Sequence, residues 1–210
     1  MMKYGDKGFV LILSAPSGAG KSTLARILNG RHEGLLTSVS TTTRQPRPGE
    51  REGEAYFFVD AESFRERIAR GAFLEWAEVF GNYYGTSRAF VEEALSRGQV
   101  VVLDIDWQGA RQVRANMGGA DVVSVFILPP SHHHLVERLR ARGQDAVEVI
   151  ERRMAEAAAE VSHWNEYDYI VINDDLDRAG DELAAIVTVE RLRRGRAKGR
   201  IQDILETFGL

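Results

Sequence analysis

Cysteine is missing from all 210 residues, which excludes disulfides, thiolate zinc sites and a cysteine nucleophile. A surplus of positive charge is missing too: 27 Lys and Arg stand against 31 Asp and Glu, for a net charge of -4. General nucleic-acid binders carry the opposite excess, so duplex DNA is a poor match as main partner. Long apolar runs are also absent. The first, Phe9 to Leu13, ends after five residues at Ser14, whereas a secretory core needs about 7–15 apolar residues and a membrane span about 20. Met1 to Lys7 is short and polar, and there are no internal repeats and no low-complexity segment. The expectation is a cytoplasmic chain with no nucleic-acid and no membrane partner.

What is present suits a folded core. Apolar residues make up 44% and charged residues 28%, a balance that excludes a disordered tail or a collagen-like repeat. The length fits one compact domain, with or without insertions. The apolar runs Phe9–Leu13, Val100–Leu103, Val122–Leu128 and Tyr169–Ile172 are continuous, as strands buried on both faces are. Helical spacing separates them: Leu24, Ile27 and Leu28 before Asn29-Gly30, then Val91, Ala94 and Leu95 before Gly98. Leu135–Arg142 stops at Gly143, and a longer pattern runs from Ala146 to about Val161. Alternating strands and helices predict an α/β fold with a parallel sheet core flanked by helices.

From about Leu36 to Thr86 the alternation breaks. VSTTT, AYFFV, FLEWAEVF and YYGT read as short strands, interrupted by a short helix after Asp60, and predict a small antiparallel insertion. Gly81-Asn82 between apolar runs reads as a two-residue hairpin turn, pairing Phe80 with Tyr83, Val79 with Tyr84 and Ala77 with Thr86. In that pairing Glu75, Tyr84 and Thr86 share one face.

The strongest local signal is Ser14–Thr23, SAPSGAGKST, which follows a strand and opens a helix, the context a phosphate-binding loop requires. Gly18 and Gly20 let backbone N–H groups turn inward around an anion, helped by the helix N-terminus. Lys21 supplies a point charge for the β- and γ-phosphates, and Ser22 or Thr23 a hydroxyl for Mg²⁺. Ala15 stands where the pattern usually has its first glycine. Val100–Asp106, VVVLDID, is a buried strand ending in carboxylates. Asp104 or Asp106 could hold Mg²⁺ through water or orient a ligand, and each could equally cap the next helix. Arg44 and Arg47 are three apart on a loop restricted by Pro46 and Pro48, a spacing that suits two guanidinium groups on one phosphate.

The loop SAPSGAGKST, the run VSTTTRQPRPGE with YFFV, the run FLEWAEVFGNYYGT, the strand LDIDWQG and the late VINDDLD together resemble the guanylate kinases, over roughly Gly8 to Ile186. The resemblance implies a P-loop nucleoside monophosphate kinase-like fold and Mg²⁺-dependent transfer from ATP to GMP. It implies a core at about 8–37, 97–130 and 163–210, a GMP-binding insertion at about 38–96, and a helical lid at about 131–162. ATP would sit on Ala15, Pro16, Ser17, Gly18, Ala19, Gly20, Lys21, Ser22 and Thr23. Asn173 would lie at adenine or serve as a strand-end turn residue. Ser40, Arg44, Arg47, Tyr56 and Tyr84 would hold the GMP phosphate, Glu75 and Thr86 would read guanine, and Asp104 and Asp106 would lie beside the nucleotides. Arg138, Arg142 and Arg153 would be lid arginines acting with Lys21 and Arg44, or else part of a solvated helix face. Mg²⁺ would meet Ser22 through the nucleotide and Asp104 through water.

The chemistry of the base supports this assignment. Guanine offers N1–H and N2–H₂ donors plus an O6 acceptor. A carboxylate accepts from the first two and a hydroxyl can donate to the third. Adenine has no proton at N1 and no 2-amino group, so Glu75 would reject it. The expected ligands are ATP and GMP, with dGMP a further candidate, on a monomer or homodimer. A GTPase switch is a weaker alternative: Asp106-Trp107-Gln108-Gly109 fits D-x-x-G, but no N-K-x-D run exists. A non-catalytic protein-binding module is the other, set against an intact phosphate loop. His132–His134 are adjacent at a helix start and do not converge on a metal. Arg191–Arg200 reads as a solvated basic helix.

Overall fold

The computed structural model describes residues 7–79, 81–119, 121–141 and 147–210. Its centre is a five-stranded parallel sheet. β1 (Phe9–Ser14) pairs with β7 (Val100–Asp104) on one side and β8 (Val122–Leu128) on the other. β2 (Leu35–Thr37) continues the sheet beyond β7, and β9 (Tyr169–Ile172) beyond β8. The runs of β1, β7 and β8 bury both faces as expected, whereas β9 at the sheet edge buries Val171 but exposes Ile170 and Ile172, so its continuous apolar run does not mark a strand covered on both sides. Phe9, Leu11 and Leu13 point into one core cluster with Val123, Val125 and Ile127, while Val10 and Ile12 point into a second with Val101 and Leu103.

Two pairs of helices close these clusters. α1 (Lys21–Arg31) and α7 (Leu176–Leu192) cover the first, through Leu24 and Leu28 on α1 and Ala179, Leu183 and Val187 on α7. α1 runs past Asn29-Gly30, where its spacing predicts an end. Its last residue, Arg31, bonds Asp177 and Asp181 of α7 at 2.9 Å each, and that tertiary contact sustains the extra turn. α3 (Arg88–Ser96) and α4 (Trp107–Met117) cover the second cluster with Val91, Ala94, Ala110 and Val113. So α3, although it follows the insertion strands in sequence, packs on the parallel sheet.

Between β2 and α3 lies a four-stranded sheet in the order β4-β3-β6-β5, formed by β3 (Thr41–Thr42), β4 (Phe57–Phe58), β5 (Phe73–Val79) and β6 (Asn82–Ser87). It is mixed, not wholly antiparallel as expected. β4 runs parallel to β3, because the loop 43–56 is long enough for the crossover that parallel neighbours need. The hairpin register also differs. Val79 pairs with Asn82, Glu78 with Tyr83, Ala77 with Tyr84 and Glu75 with Thr86, so Gly81, at φ 73, lies inside the turn and Asn82 outside it. A left-handed position suits glycine better than asparagine, which draws the turn back along the chain. The slip is two residues, so from Glu75 to Val79 and from Asn82 to Thr86 each side chain keeps its predicted face, while the register shift between Phe73 and Glu75 turns Phe73 to the Gly85 face. The expected partner Phe80 lies outside the described residues. The short helix after Asp60 is α2 (Ala61–Ala69), whose N-cap side chain Asp60 accepts from the Ser63 N–H at 2.7 Å.

α5 (His132–Ala141) and α6 (Val147–Val161) form the helical pair after β8, packed through Leu135, Leu139, Met154 and Ala157. Arg142, Gly143 and Ala146 lie outside the described residues. The basic stretch after α7 is not one solvated helix. Arg196 is buried over the Phe9 ring at 4.3 Å and ion-paired to the buried Glu190, and α8 (Lys198–Thr207) starts beyond it. No helix of the described residues is long and apolar enough to cross a membrane.

The insertion sheet leans on α2 through stacked rings: Phe64 lies 4.4 Å from Phe73 and 5.3 Å from Tyr83, centroid to centroid. Gly85 sits beneath this stack, and a Cβ there would come 2.9 Å from Phe73 and 3.1 Å from Phe64. Gly85→Ala should therefore destabilise the fold by about 1–3 kcal/mol, more than the ~0.4–1 kcal/mol that alanine recovers in the unfolded chain. Urea unfolding measures it; an unchanged midpoint would mean that the rings move aside at no cost.

Candidate active site

The loop between β1 and α1 turns on two left-handed glycines, Gly18 at φ 93 and Gly20 at φ 96. Gly20 is the N-cap of α1 and offers no side chain, so the first helical N–H groups keep their capacity for an anion. The loop borders a cavity of about 320 Å³ lined by Ala15, Pro16, Ser17, Gly18, Gly20, Lys21, Ser22, Thr23 and Glu160. Ala15, at the place of the usual first glycine, buries its methyl in the larger core cluster. From the other side Leu135 and Leu139 of α5 close on Gly18, where a Cβ would lie 3.0 Å from Leu139.

Below the loop the backbone is braced. Asn173, just past β9, is buried and donates its Nδ2 to the Ala19 carbonyl at 2.6 Å, beneath the loop and not at the cavity wall. Arg138 donates to the Asn173 carbonyl at 2.8 Å and the Ala19 carbonyl at 3.3 Å. Arg138 thus ties α5 to the loop in place of reaching into the cavity. Arg153 is half-buried on α6, and Arg142 lies outside the described residues.

Three groups suited to phosphate, Lys21, the Ser17 N–H and Arg44, each hold a carboxylate. Lys21 is ion-paired with Asp104 at the end of β7. The Ser17 N–H donates to Glu160 of α6 at 3.2 Å, and burial raises the pKa of Glu160 while Lys21 pulls it back. Arg44 forks onto both oxygens of Glu50 at 2.8 and 2.9 Å, which raises the Arg44 pKa and lowers that of Glu50. Neither Glu50 nor Glu160 stood out in the sequence, where one carboxylate among 31 carries no local mark.

Around Arg44 the insertion gathers the expected neighbours. Its guanidinium lies 5.2 Å from the Tyr56 ring centre, Tyr56 and Tyr84 meet edge-to-face at 5.8 Å, and Tyr84 contributes to the raised Arg44 pKa. Ser40 accepts the Phe57 N–H at 2.9 Å on its carbonyl, which aligns the strand that follows Tyr56. The expected stiff pair of arginines is only half present. Arg44 is fixed by Glu50 and by the Gln45 carbonyl, but the Arg47 side chain is exposed, and its backbone N–H donates to the Glu50 carboxylate at 2.8 Å while its carbonyl accepts the Glu50 N–H at 3.0 Å. Proline restricts the backbone of this loop and leaves a guanidinium four bonds away free to turn.

Glu75 and Thr86, directly paired on β5 and β6, are both buried. The Thr86 hydroxyl donates to Glu75 at 2.5 Å, so here it serves the carboxylate and does not stand free for a base oxygen. Burial pushes the Glu75 pKa up to about 7, opposed by the Thr86 hydrogen bond and reinforced by the charge of Asp106. Between its ordinary 4.5 and about 7 the folded chain holds a proton that the unfolded chain has lost, so Glu75 weakens the fold as pH rises through that window. A buried carboxylate kept at that cost is a candidate acceptor for further donors. Asp106 accepts the Gly109 N–H at 2.8 Å as the N-cap of α4, so the D-x-x-G run is a helix start. His133 and His134 do not converge: one faces Glu137 and the other Ser131.

This arrangement has known counterparts. The guanylate kinase family model matches residues 7–190. The guanylate kinase of Escherichia coli (strain K12) is 57% identical over 196 residues, 92% of this chain and 94% of that one. That of Rhizobium meliloti (strain 1021) is 54% identical over 203 residues, 97% and 92% of the two chains. The crystal structure of guanylate kinase from Anaplasma phagocytophilum superposes with a TM-score of 0.75 at 38% identity, covering 92% of this chain and 91% of that one. With a glycine loop and lysine on one sheet, and a buried carboxylate with its arginine and tyrosines on the other, this chain belongs to the guanylate kinase family.

Proposed function

We propose that this chain transfers the γ-phosphoryl group of ATP to GMP, with ATP on the phosphate loop and GMP on the insertion sheet. One observation carries the assignment of the two sites: the tail of β7 serves both. Asp104 pairs with Lys21 of the loop, and two residues on Asp106 caps α4 and acts on the charge of Glu75. Donor and acceptor sites therefore meet across one strand end, at the carboxyl edge of a parallel sheet where such ligands bind.

The acceptor needs no general base. A phosphate monoester has its second pKa near 6 and is mostly dianionic at neutral pH. The task is to bring two anions together in line. On this reading Lys21 leaves Asp104 for the β- and γ-phosphates, the Ser17 N–H exchanges Glu160 for phosphate oxygen, and Arg44 exchanges Glu50 for the GMP phosphate, with the Tyr56 and Tyr84 hydroxyls beside it. Arg47, already exposed on the same loop, folds onto that phosphate. Glu75 accepts from N1–H and N2–H₂ of guanine, and Thr86 turns its hydroxyl to O6. Arg138 and Arg153, with Arg142, close the helical pair over the phosphates and exclude water.

Mg²⁺ fits the donors present. The Ser22 hydroxyl, next to Lys21 in the cavity lining, and the Asp104 carboxylate, paired with Lys21, are hard oxygens, the chemistry this ion prefers. Among the described residues no group of three or more His, Cys, Asp or Glu could hold a metal ion by itself. In this reading the ion comes with the nucleotide and supplies charge neutralisation at its phosphate oxygens.

Lys21→Met removes the fixed cation nearest the transferred group and should lower kcat/KM by about 10²–10³. Asp104 is 37% exposed on its side chain, so solvent takes over its charge and the fold should be kept. Coupled ADP release, with circular dichroism as the fold control, tests this; turnover within threefold of wild type would remove Lys21 from the reaction.

Glu75 yields two measurements. Glu75→Ala should reduce the preference for GMP over AMP in kcat/KM by at least about a hundredfold, because a site built for a substrate's donors loses its discrimination with its acceptor. In the wild type, KM for GMP should fall as pH rises from about 6 to about 8, since only the ionised carboxylate accepts both donors. Glu75→Gln removes that titration but keeps the contribution of the GMP phosphate, so the two pH profiles should differ most around pH 7. Superimposable profiles would place guanine recognition elsewhere.

A further inference from the structure

β5 is the edge strand of the insertion sheet, and an edge strand presents a row of backbone groups with no neighbouring strand to take them. In the register of this hairpin Glu75 faces Thr86 in β6, so the alternate residues Leu74 and Trp76 turn their N–H and C=O groups to the open edge. That edge is taken by two side chains of α4. The Gln112 amide closes a ring on Trp76: its oxygen accepts the Trp76 N–H at 3.1 Å and its Nδ-equivalent nitrogen, Nε2, donates to the Trp76 carbonyl at 2.9 Å. Asn116 donates its Nδ2 to the Leu74 carbonyl at 2.7 Å.

The fit is one of spacing. Residues four apart on a helix rise by about 6 Å and share a face, while residues two apart on a strand are separated by about 6.6 Å. Gln112 and Asn116 thus meet Trp76 and Leu74 with the helix running opposite to the strand. The residue between them is Glu75, whose side chain lies over the same helix: a Cβ on Gly109, one turn before Gln112, would come 3.1 Å from the Glu75 carboxylate. The pairing register also shifts between Phe73 and Glu75. At such an irregularity the ladder alone does not determine how a side chain is aimed.

We infer that Gln112 and Asn116 are positioning residues for base recognition: they clasp the backbone on both sides of Glu75 and set the depth and direction of its carboxylate against the base. The inference rests on the reading that Glu75 accepts from guanine. It adds a physical link, because α4 starts at Asp106 on the tail of β7 and packs Ala110 and Val113 into the sheet core. The base-reading carboxylate is thereby referenced to the rigid layer that carries the phosphate loop, and not only to the insertion. Gln112 is half-buried and Asn116 exposed, so neither is needed to fill the core.

The test is Gln112→Met, which keeps length and removes both hydrogen bonds, with Asn116→Ala as an independent second variant should the first not fold. KM and kcat are measured for GMP and ATP in each variant, in wild type, in Glu75→Ala and in Glu75→Ala combined with each variant. Misaiming a binding group by a fraction of an ångström to 1 Å costs roughly ten- to hundredfold. KM for GMP should therefore rise about tenfold in the single variants, with kcat at saturating GMP and KM for ATP within twofold of wild type. In the Glu75→Ala background the same substitutions should change KM for GMP less than twofold, because a group that acts through Glu75 has nothing left to aim. An unchanged KM for GMP in the single variants, beside a large loss in Glu75→Ala, overturns the clasp and leaves the guanine reading standing. An equal further loss in the Glu75→Ala background also overturns it, since the amides would then support the insertion as a whole. If Glu75→Ala itself leaves KM for GMP unaltered, the guanine reading falls, and the clasp with it.

Discussion

In an open parallel sheet a crevice forms outside the carboxyl end of a strand whose connection leaves to the opposite face from its neighbour's, as α1 after β1 and α4 after β7 do. β1 is that strand, held in register between β7 and β8. Its placement decides where the phosphate loop lies, because the loop is the connection from β1 to α1. It also decides which side chains reach the loop: Asp104 from β7 and Asn173 from the end of β9, each carried there by a strand in the same sheet. The buried runs of β1 make this position rigid, with Phe9 to Leu13 fully enclosed between two helical layers.

Charge organises the site around that frame. A lysine, an arginine fork and the Ser17 N–H of the loop would hold unsatisfied donors without anions nearby. Asp104, Glu160 and Glu50 meet those donors one by one. Each of these is an ion pair or hydrogen bond at a partly exposed position, where solvent weakens it and a competing anion can displace it. Glu75 follows the opposite logic. It is buried with one hydroxyl and held close to neutrality, so the gain on meeting two donors is large.

The interplay of backbone and side chain is clearest in the insertion. Its hairpin slips by two residues from the register that Gly81-Asn82 suggests, yet Glu75, Tyr84 and Thr86 still share a face. Face is set by parity, and parity survives any even slip. The same slip makes Glu75 and Thr86 direct partners, which creates the short hydrogen bond between them.

By itself the sequence determined what depends on short-range order. Continuous apolar runs specified parallel strands, Gly18 and Gly20 the left-handed turn before α1, and Asp60 a helix start; each follows from residues within a few positions of one another. The extra turn of α1, the parallel pairing of β4, the burial of Arg196 and the amide clasp on β5 were decided only by the tertiary structure. So were the partners of the site: Glu160 meets Ser17 from 143 positions away and Asn173 meets Ala19 from 154. The physical reason is that surface-type residues such as Glu50, Gln112 and Glu160 carry no pattern of their own. Their roles come from which backbone donor or cation the packed layers happen to bring within about 3 Å, and that distance exists only once the layers are in place.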